Sequence, residues 1–482
     1  MRIALGLLTV ACSVVVLHCS AGLPCHGAIE CGLEPDGGPD GGADVVVPPG
    51  CDPTKSPKES PACVSDDFGV FVSPQGKDGA TGKKTDPLRS IAEAVGKGKP
   101  RVYVCEGTYD ANVAITTSVA IYGGLTCLWQ PSEAVRPKLA PPKGIALRVT
   151  KVAGAVEIAD LDVVGSADAN TPGDSAIASF VAESANVTFR RTTLTGGTST
   201  GGAKGAARSN YSGVMATKGG DAMVATGGVG PMCACTDLTS STGGNGASGA
   251  GIGLSDGAAN PAVGFTNSGA TKVASCDPGL AGANGSAGAT APTVTSAGSL
   301  DANGWQPPGQ VTTAPNGKPA QGGGGAGAKT NTMSAGGAGG CGGCGGAGAE
   351  AGRAGGSSFA LLSFNSSVTF EGGNLGAGTG GTGGTGGRGQ DGQAGGAPGT
   401  GIACDGGSGG NGTGGSGGGG AAGGHSVPVA FVGNEPKVTG ATVTPGAKGA
   451  AGPGGAGGAG PGIAGAPGTP GPEGKAQTTL AL

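Results

Sequence analysis

The chain has 482 residues, of which 111 are Gly and only 2 are Trp, 4 Tyr and 9 Phe. Glycine adds no packing volume and loses the most backbone entropy on ordering, so this length cannot be filled with ordinary compact domains. Charged residues are 12% of the chain and the formal charge is −4, which excludes a partner captured by net charge, such as a nucleic acid.

At the N-terminus, Arg2 precedes an apolar run over residues 3–17 that is too short to span a bilayer and reads as an export signal. Cys19, at the end of that run, is the expected lipidation site, with residues 1–19 as a lipoprotein-type signal peptide. Cys12 after Ala11, or an ordinary cut after Ala21, are the alternatives. Setting Cys12 and Cys19 aside from the 14 cysteines leaves an even number, which together with export favours disulfides. The expected location is the outer cell envelope or the exterior, with membrane contact only through a lipid anchor.

Residues 20–67 read as a flexible tether, because the acidic glycine-rich stretch at 36–44 has no apolar period. Local bridges Cys25–Cys31 and Cys51–Cys63 are plausible there. A patterned region follows over residues 68–196. A short strand holds Val70, Phe71 and Val72. A helix is then expected with Asp86 as N-cap, Pro87 at its first position, Leu88, Ile91, Ala92 and Val95 on one face, and Gly96 as the stop. Short apolar strands follow at 101–104, 112–115 and 118–122, with turn residues after each. Strands this short, at this spacing, suit successive faces of a solenoid better than hairpins.

The segments VFVSPQGKDG (70–79), TDPLRSIAEAV (85–95) and PRVYVCEGTYDANVAITTSVAIYGG (100–124) resemble the opening module of secreted pectin-lyase-like parallel β-helix proteins. The segment IYGGLTCLW (121–129) is similar to a variant seen in glycine-rich, cysteine-containing surface proteins. The resemblance implies a right-handed parallel β-helix whose N-terminal end is plugged by the early helix. It implies no activity, since the module has no assigned chemistry.

Four later segments share one pattern, starting at Val156, Val187, Val368 and Val438. In the first three, apolar residues recur as Val156/Ile158/Val163, Val187/Phe189/Leu194 and Val368/Phe370/Leu375. Alternating apolar stretches precede each of the four: Ile145/Leu147/Val149, Ile177/Val181, Leu362/Phe364 and Val427/Val429/Phe431. Stacked rungs of this kind bury a continuous narrow core that no rung could bury alone. The starts are 31, 181 and 70 positions apart, whereas a rung needs roughly 20–30 residues. The surplus must leave as loops. The expected organisation is therefore a β-helix over 68–196, a Gly/Ala-rich insertion over 197–356, a rung at 357–376, a second insertion at 377–424, a last rung at 425–446 and a Gly/Pro-rich tail at 447–482. The fold class expected is all-β, a right-handed parallel β-helix with a short capping helix and long glycine-rich loops.

The tracts often repeat in threes, as in GTGGTGGTGGRG at 378–389, and polyproline-II geometry would place every third residue on one edge. Disordered loops, a bundle of glycine helices and a collagen-like trimer all remain open. In composition the tracts resemble the glycine-alanine-rich surface proteins of the PGRS type.

Chemistry is sparse. Polysaccharide cleavage on such a fold needs clustered carboxylates and a basic residue. The ordered rungs offer Asp160, Asp162, Glu183, Arg190, Arg191 and Glu371, which equally suit a solvated outer face. His425 opens the last rung and reads as a turn residue. One imperfect calcium nonapeptide occurs at 386–394, without the array such motifs need. Cys105 and Cys127 sit at strand edges and are expected to clamp neighbouring rungs. Cys341 and Cys344 have zinc or redox spacing and Cys233 and Cys235 form a tight pair, yet in an exported chain all four favour disulfides that tie the large insertion together, leaving Cys276 and Cys404 to pair elsewhere. No nucleophile elbow or phosphate loop occurs. The sequence thus points to a non-enzymatic secreted or cell-surface scaffold, adhesion or matrix protein without cofactor or metal. Its partners would be envelope or extracellular surface components, polysaccharide among them. The alternative is a polysaccharide-binding or polysaccharide-degrading β-helix. Three or more convergent Asp, Glu, Arg or Lys side chains in one groove would favour the alternative.

Overall fold

Residues with alternating apolar side chains form short strands that stack in parallel, one rung on the next. The computed structural model describes residues 46–213, 215–249, 252–261, 276–292, 298–309, 313–329 and 332–482. Cys12, Cys19, Cys25 and Cys31 lie outside the described residues. In chain order the elements are β1 (Gly69–Lys77), α1 (Ile91–Val95), β2 (Arg101–Cys105), β3 (Thr108–Tyr109), β4 (Val113–Ile115), β5 (Val119–Leu125), β6 (Lys138–Leu139), β7 (Leu147–Thr150), β8 (Ala155–Ala159), β9 (Asp162–Gly165), β10 (Ala176–Ala182) and β11 (Asn186–Gly196). The large insertion adds a small antiparallel sheet of β12 (Met232–Ala234), β13 (Ser240–Thr242) and β14 (Ala258–Asn260), and a hairpin of β15 (Ser299–Asp301) and β16 (Gly304–Gln306). Then come β17 (Ser358–Phe364), β18 (Val368–Ala377), β19 (Ser426–Val432), β20 (Lys437–Thr444) and β21 (Thr479–Ala481).

The chain visits three columns in a fixed order. The first holds β1, β2, β5, β8 and the leading halves of β11, β18 and β20. The second holds β3, β6, β9 and the trailing halves of the same three long strands. The third holds β4, β7, β10, β17, β19 and β21. Every pairing in these columns is parallel, and the fold is nearly all-β.

Identical positions of successive rungs lie above one another and fill the interior. One ladder runs Val70, Val102, Ile121, Ile158, Phe189, Phe370, Val438. A second runs Tyr109, Leu139, Val163, Leu194, Leu375, Val443. The Phe189 and Phe370 rings sit 5.9 Å apart, although 181 residues separate them. Each such buried side chain contributes about 1.5–3 kcal/mol. Thus Val368 and Phe370 register directly against Val187 and Phe189, as stacked rungs require.

Two corners of each later rung are left-handed. Asp160 (φ 57°), Arg191 (φ 51°), Gly372 (φ 69°) and Gly440 (φ 63°) turn the chain from the first column to the second. Lys151, Glu183, Asn365 and Gly433 turn it from the third to the first. These corners set the register and correct one expectation. Val438 lies opposite Phe370, 68 positions away, and not opposite Val368. Aligning the corner glycines fixes the rung, whereas aligning the first valines displaces it by one inward-facing position.

Other departures are local. The helix is shorter than expected: Ser90, not Asp86, is its N-cap and accepts from the Glu93 N–H. Leu88 is drawn into backbone bridges with Val72 and Lys77, and the Asp86 carboxylate accepts from Thr81 instead. Residues 51–66, expected within a flexible tether, pack on the first column, where Cys63 and Val64 are buried. The third column is apolar on both faces. Its outer residues Ile177, Phe180, Phe359, Leu362 and Val427 are covered by Leu300 and Trp305 of the β15–β16 hairpin. Burial on both faces explains why β10 reads as an unbroken run rather than an alternation.

All three glycine-rich excursions leave between the second and third columns: after β11, after β18 and after β20. They bond to one another. The N–H groups of Gly202, Gly205 and Arg208 donate to the carbonyls of Thr382, Thr385 and Arg388 at 2.8–3.0 Å. Gly380, Gly383 and Gly386 donate in the same way to Ala447, Ala450 and Pro453, and Gly343 and Gly346 to Gly410 and Thr413. A lateral bond every third residue is the repeat of a polyproline-II helix. Of the three alternatives the described residues therefore match the glycine-helix bundle, and they replace the picture of loosely packed loops. A Cβ at Gly384 would lie 1.9 Å from the Ala203 carbonyl oxygen, so the segments approach only because a side chain is missing.

Candidate functional site

The outer side of the first column divides into an aromatic half and a charged half. Phe71, Tyr103 and Tyr122 stack in register at its top. The segment 51–66 covers them. Arg101 fastens it: the buried guanidinium donates to the carbonyls of Pro53 and Lys55 at 2.8 and 2.7 Å and lies over the rings of Phe68 and Tyr122. Weak hydration of the planar guanidinium suits such a sandwich. The Tyr103 hydroxyl donates to the Cys63 carbonyl, and the Cys51–Cys63 disulfide closes the segment on itself.

Below the aromatics lies an ion ladder. Arg190 pairs with Glu157 at 3.2 Å and with Glu371 at 3.0 Å, bridging three rungs. At the adjoining left-handed corner, Arg191 grips Asp160 through two bonds of 2.8 and 2.6 Å. That hydrogen-bonded carboxylate pushes the Arg191 pKa further up. The corner lines a cleft of about 450 Å3 together with Lys58, Glu59, Glu133 and Arg136. Gly123 and Gly124 add a stretch of lining without side chains.

Six charged side chains therefore meet in one groove, and four of them are joined in pairs. Lys58 pairs with Glu133, and Arg191 with Asp160. Arg136 donates to the Arg191 carbonyl, and Glu59 accepts from the N–H and hydroxyl of Ser56. The bond from Lys58 holds the Glu133 carboxyl below its ordinary range, and the Ser56 bonds do the same for Glu59. Carboxylates held ionised in this way are good acceptors for hydroxyl groups and poor proton donors near neutral pH.

Sequence reasoning named Asp160, Arg191, Arg190 and Glu371, and the structure brings the first pair and the second pair together. It places Glu183 elsewhere, at another corner 3.9 Å from Lys151. Asp162 lies in register with Lys138 on the second column. Lys58, Glu59, Glu133, Arg136 and Glu157 were not anticipated. Four of them come from irregular segments whose sequence carries no period. His425 is more than a turn residue: it is buried, its Nδ1 accepts from the Lys475 N–H, and its ring meets Trp305 edge-on. Within the nonapeptide-like stretch, the Asp391 carboxylate takes Asn210, Arg388 and the Ala459 N–H.

The cysteines join distant segments. Cys105 bridges Cys127 beside the cleft-bearing rungs. Cys233 bridges Cys341 and Cys235 bridges Cys344, closing loops of 108 and 109 residues. Cys276 bridges Cys404, linking the first insertion to the second. Bonds of this number belong to oxidising compartments. No helix among the described residues is long and apolar enough to cross a membrane. Comparison of the chain with protein-family models, with curated proteins and with solved structures gives no match.

Proposed function

We propose that the chain is an exported surface scaffold: a right-handed parallel β-helix of the pectin-lyase-like kind, anchored through a lipid on Cys19, which displays its glycine bundle as an adhesive or matrix-forming surface. One observation carries this reading. The three excursions leave the strand stack at one corner and join into a single hydrogen-bonded bundle stapled by disulfides. Such a bundle has few charges and ties its backbone groups into lateral hydrogen bonds, which leaves few unbonded stretches for a protease to enter and suits exposure outside a cell. The test joins two measurements. Mass analysis of the mature N-terminus should find a diacylglyceryl group on Cys19, and the full chain should adsorb to isolated cell envelopes before reduction of its disulfides and not after. Adsorption that is indifferent to reduction would remove the bundle from the function.

A second reading has its own observation, the cleft where Lys58, Glu59, Glu133, Arg136, Asp160 and Arg191 converge. Paired charges beside a stretch of bare backbone suit a polyhydroxyl chain, so the site would bind polysaccharide. Calorimetry with neutral and acidic oligosaccharides separates the readings. Binding abolished by Arg136→Ala, with no bond cleavage in the product mixture, would make the scaffold a lectin. Release of shortened sugars would make it an enzyme.

A further inference from the structure

The two ends of the strand stack are finished differently. At the first end, α1 packs on β1, β2 and β4 and adds Ile91, Ala94 and Val95 to the core. At the last end, among the described residues, β20 has a strand on one side only, β18. The end of the core is open there: Val438 is 36% exposed, and Ala441 and Val443 are only partly covered. An edge of this kind offers unpaired backbone groups and apolar side chains together.

The edge has a self-complementary sequence. Residues 438–443 read Val-Thr-Gly-Ala-Thr-Val, nearly the same from either end. A two-fold axis through the Gly440–Ala441 peptide would set Val438 against Val443 of a second copy and Thr439 against Thr442. The side-chain directions agree with this pairing. Val438 and Val443 continue the interior ladders of Phe370 and Leu375, whereas Thr439 and Thr442 continue the outer positions of Glu371 and Asn374. The bend at Gly440 (φ 63°) lies on the axis, so the two arms of the bend exchange places between the copies. Lys437, the only charged residue of β20, would meet Thr444 and not its own counterpart.

We propose that β20 is the interface of a two-fold symmetric dimer of this chain, made by antiparallel pairing of residues 437–444 with the same residues of a second copy. The pairing joins two open cores end to end. It is isologous and therefore closes at two copies, and the helix-capped first end prevents growth into a filament.

The test is the mass of the purified full chain, disulfides intact, by sedimentation equilibrium in mild detergent. The wild-type chain should be a dimer. T439E/T442E places carboxylates opposite carboxylates across the two-fold and should give a monomer; the cost of a carboxylate in register with Glu371 is shared by T439E/T442K and cannot by itself separate the two variants. T439E/T442K places each introduced carboxylate opposite an introduced ammonium and should restore the dimer, which unfolding of the last rung could not do. A wild-type monomer at every concentration would overturn the proposal, and so would a dimer that persists in T439E/T442E. A monomer whose edge captures an unrelated extended peptide would overturn it too, since the occupant would not be a second copy.

Discussion

The strand stack and the glycine bundle order similar lengths of chain by opposite means. In the stack, side chains are the cohesive element: Phe189 on Phe370, Leu194 on Leu375, rung upon rung. In the bundle the absence of side chains is what permits cohesion, because backbone carbonyls occupy the places where Cβ atoms would stand. Hydrogen bonds alone contribute about 1 kcal/mol each, against a backbone entropy cost of about 1–2 kcal/mol per residue. The bundle therefore needs help that the stack does not. It receives it from three long-range disulfides and from a stack that holds the ends of every excursion at one corner.

Cysteine replacement should break this comparison most strongly. Chain-entropy arguments give about 4–5 kcal/mol for a loop near 100 residues. Replacing Cys276 and Cys404 by Ser should cost about that much, whereas removing Cys233–Cys341 alone should cost far less, because Cys235–Cys344 closes nearly the same loop. Hydrogen exchange should show protection lost over the bundle and kept in β8, β11 and β18. Equal loss in both regions would mean that they unfold as one unit.

Phe370→Ala probes the opposite side and should cost about 3–5 kcal/mol in thermal or denaturant unfolding. The loss should extend to the bundle, since the excursion ends are held by that rung. Gly384→Ala should cost less, roughly 2 kcal/mol, because the new methyl separates the segments that Gly384 joins to Arg353 and Ala421. Its exchange signature should stay within the bundle. A melting temperature unchanged by this single methyl would show that the close approach is not needed.

Alkali should act on the stack first, and by the smallest amount. Burial raises the Tyr103 phenol from 10.0 to about 12, and Tyr109 and Tyr122 in the same direction. The folded chain favours the neutral phenols. Their contribution to stability is complete below pH 10 and is lost as pH rises towards 12. Ultraviolet titration should show the Tyr103 and Tyr122 phenols ionising late and together with release of residues 51–66, measured by proteolysis.

These contrasts mark how far the residues could be read alone. Period-two alternation around Val156, Val187 and Val368 identified the rungs, because an inward-facing residue must be apolar whatever its neighbours are. The disulfide Cys51–Cys63 was within reach for a similar reason, as a sequence separation of 12 leaves few choices of partner. The register of the last rung was not, since it depends on which glycine turns the corner. Nor was the cleft. Lys58, Glu59, Glu133 and Arg136 come from segments with no period; docking of residues 51–66 by Arg101 brings in the first two, and the loop between β5 and β6 brings the other two to Asp160 and Arg191.

By itself the sequence determined the all-β class, the interior ladders, the short helix near the start and the separation of apolar rungs from glycine tracts. Local alternation and composition are enough to specify these. Only the tertiary structure decided that the tracts form one bundle, which cysteines of the two insertions meet, and that one end of the stack is closed and the other open. Each of these depends on segments far apart in the chain approaching backbone to backbone, and a glycine carries no side chain to announce its neighbour.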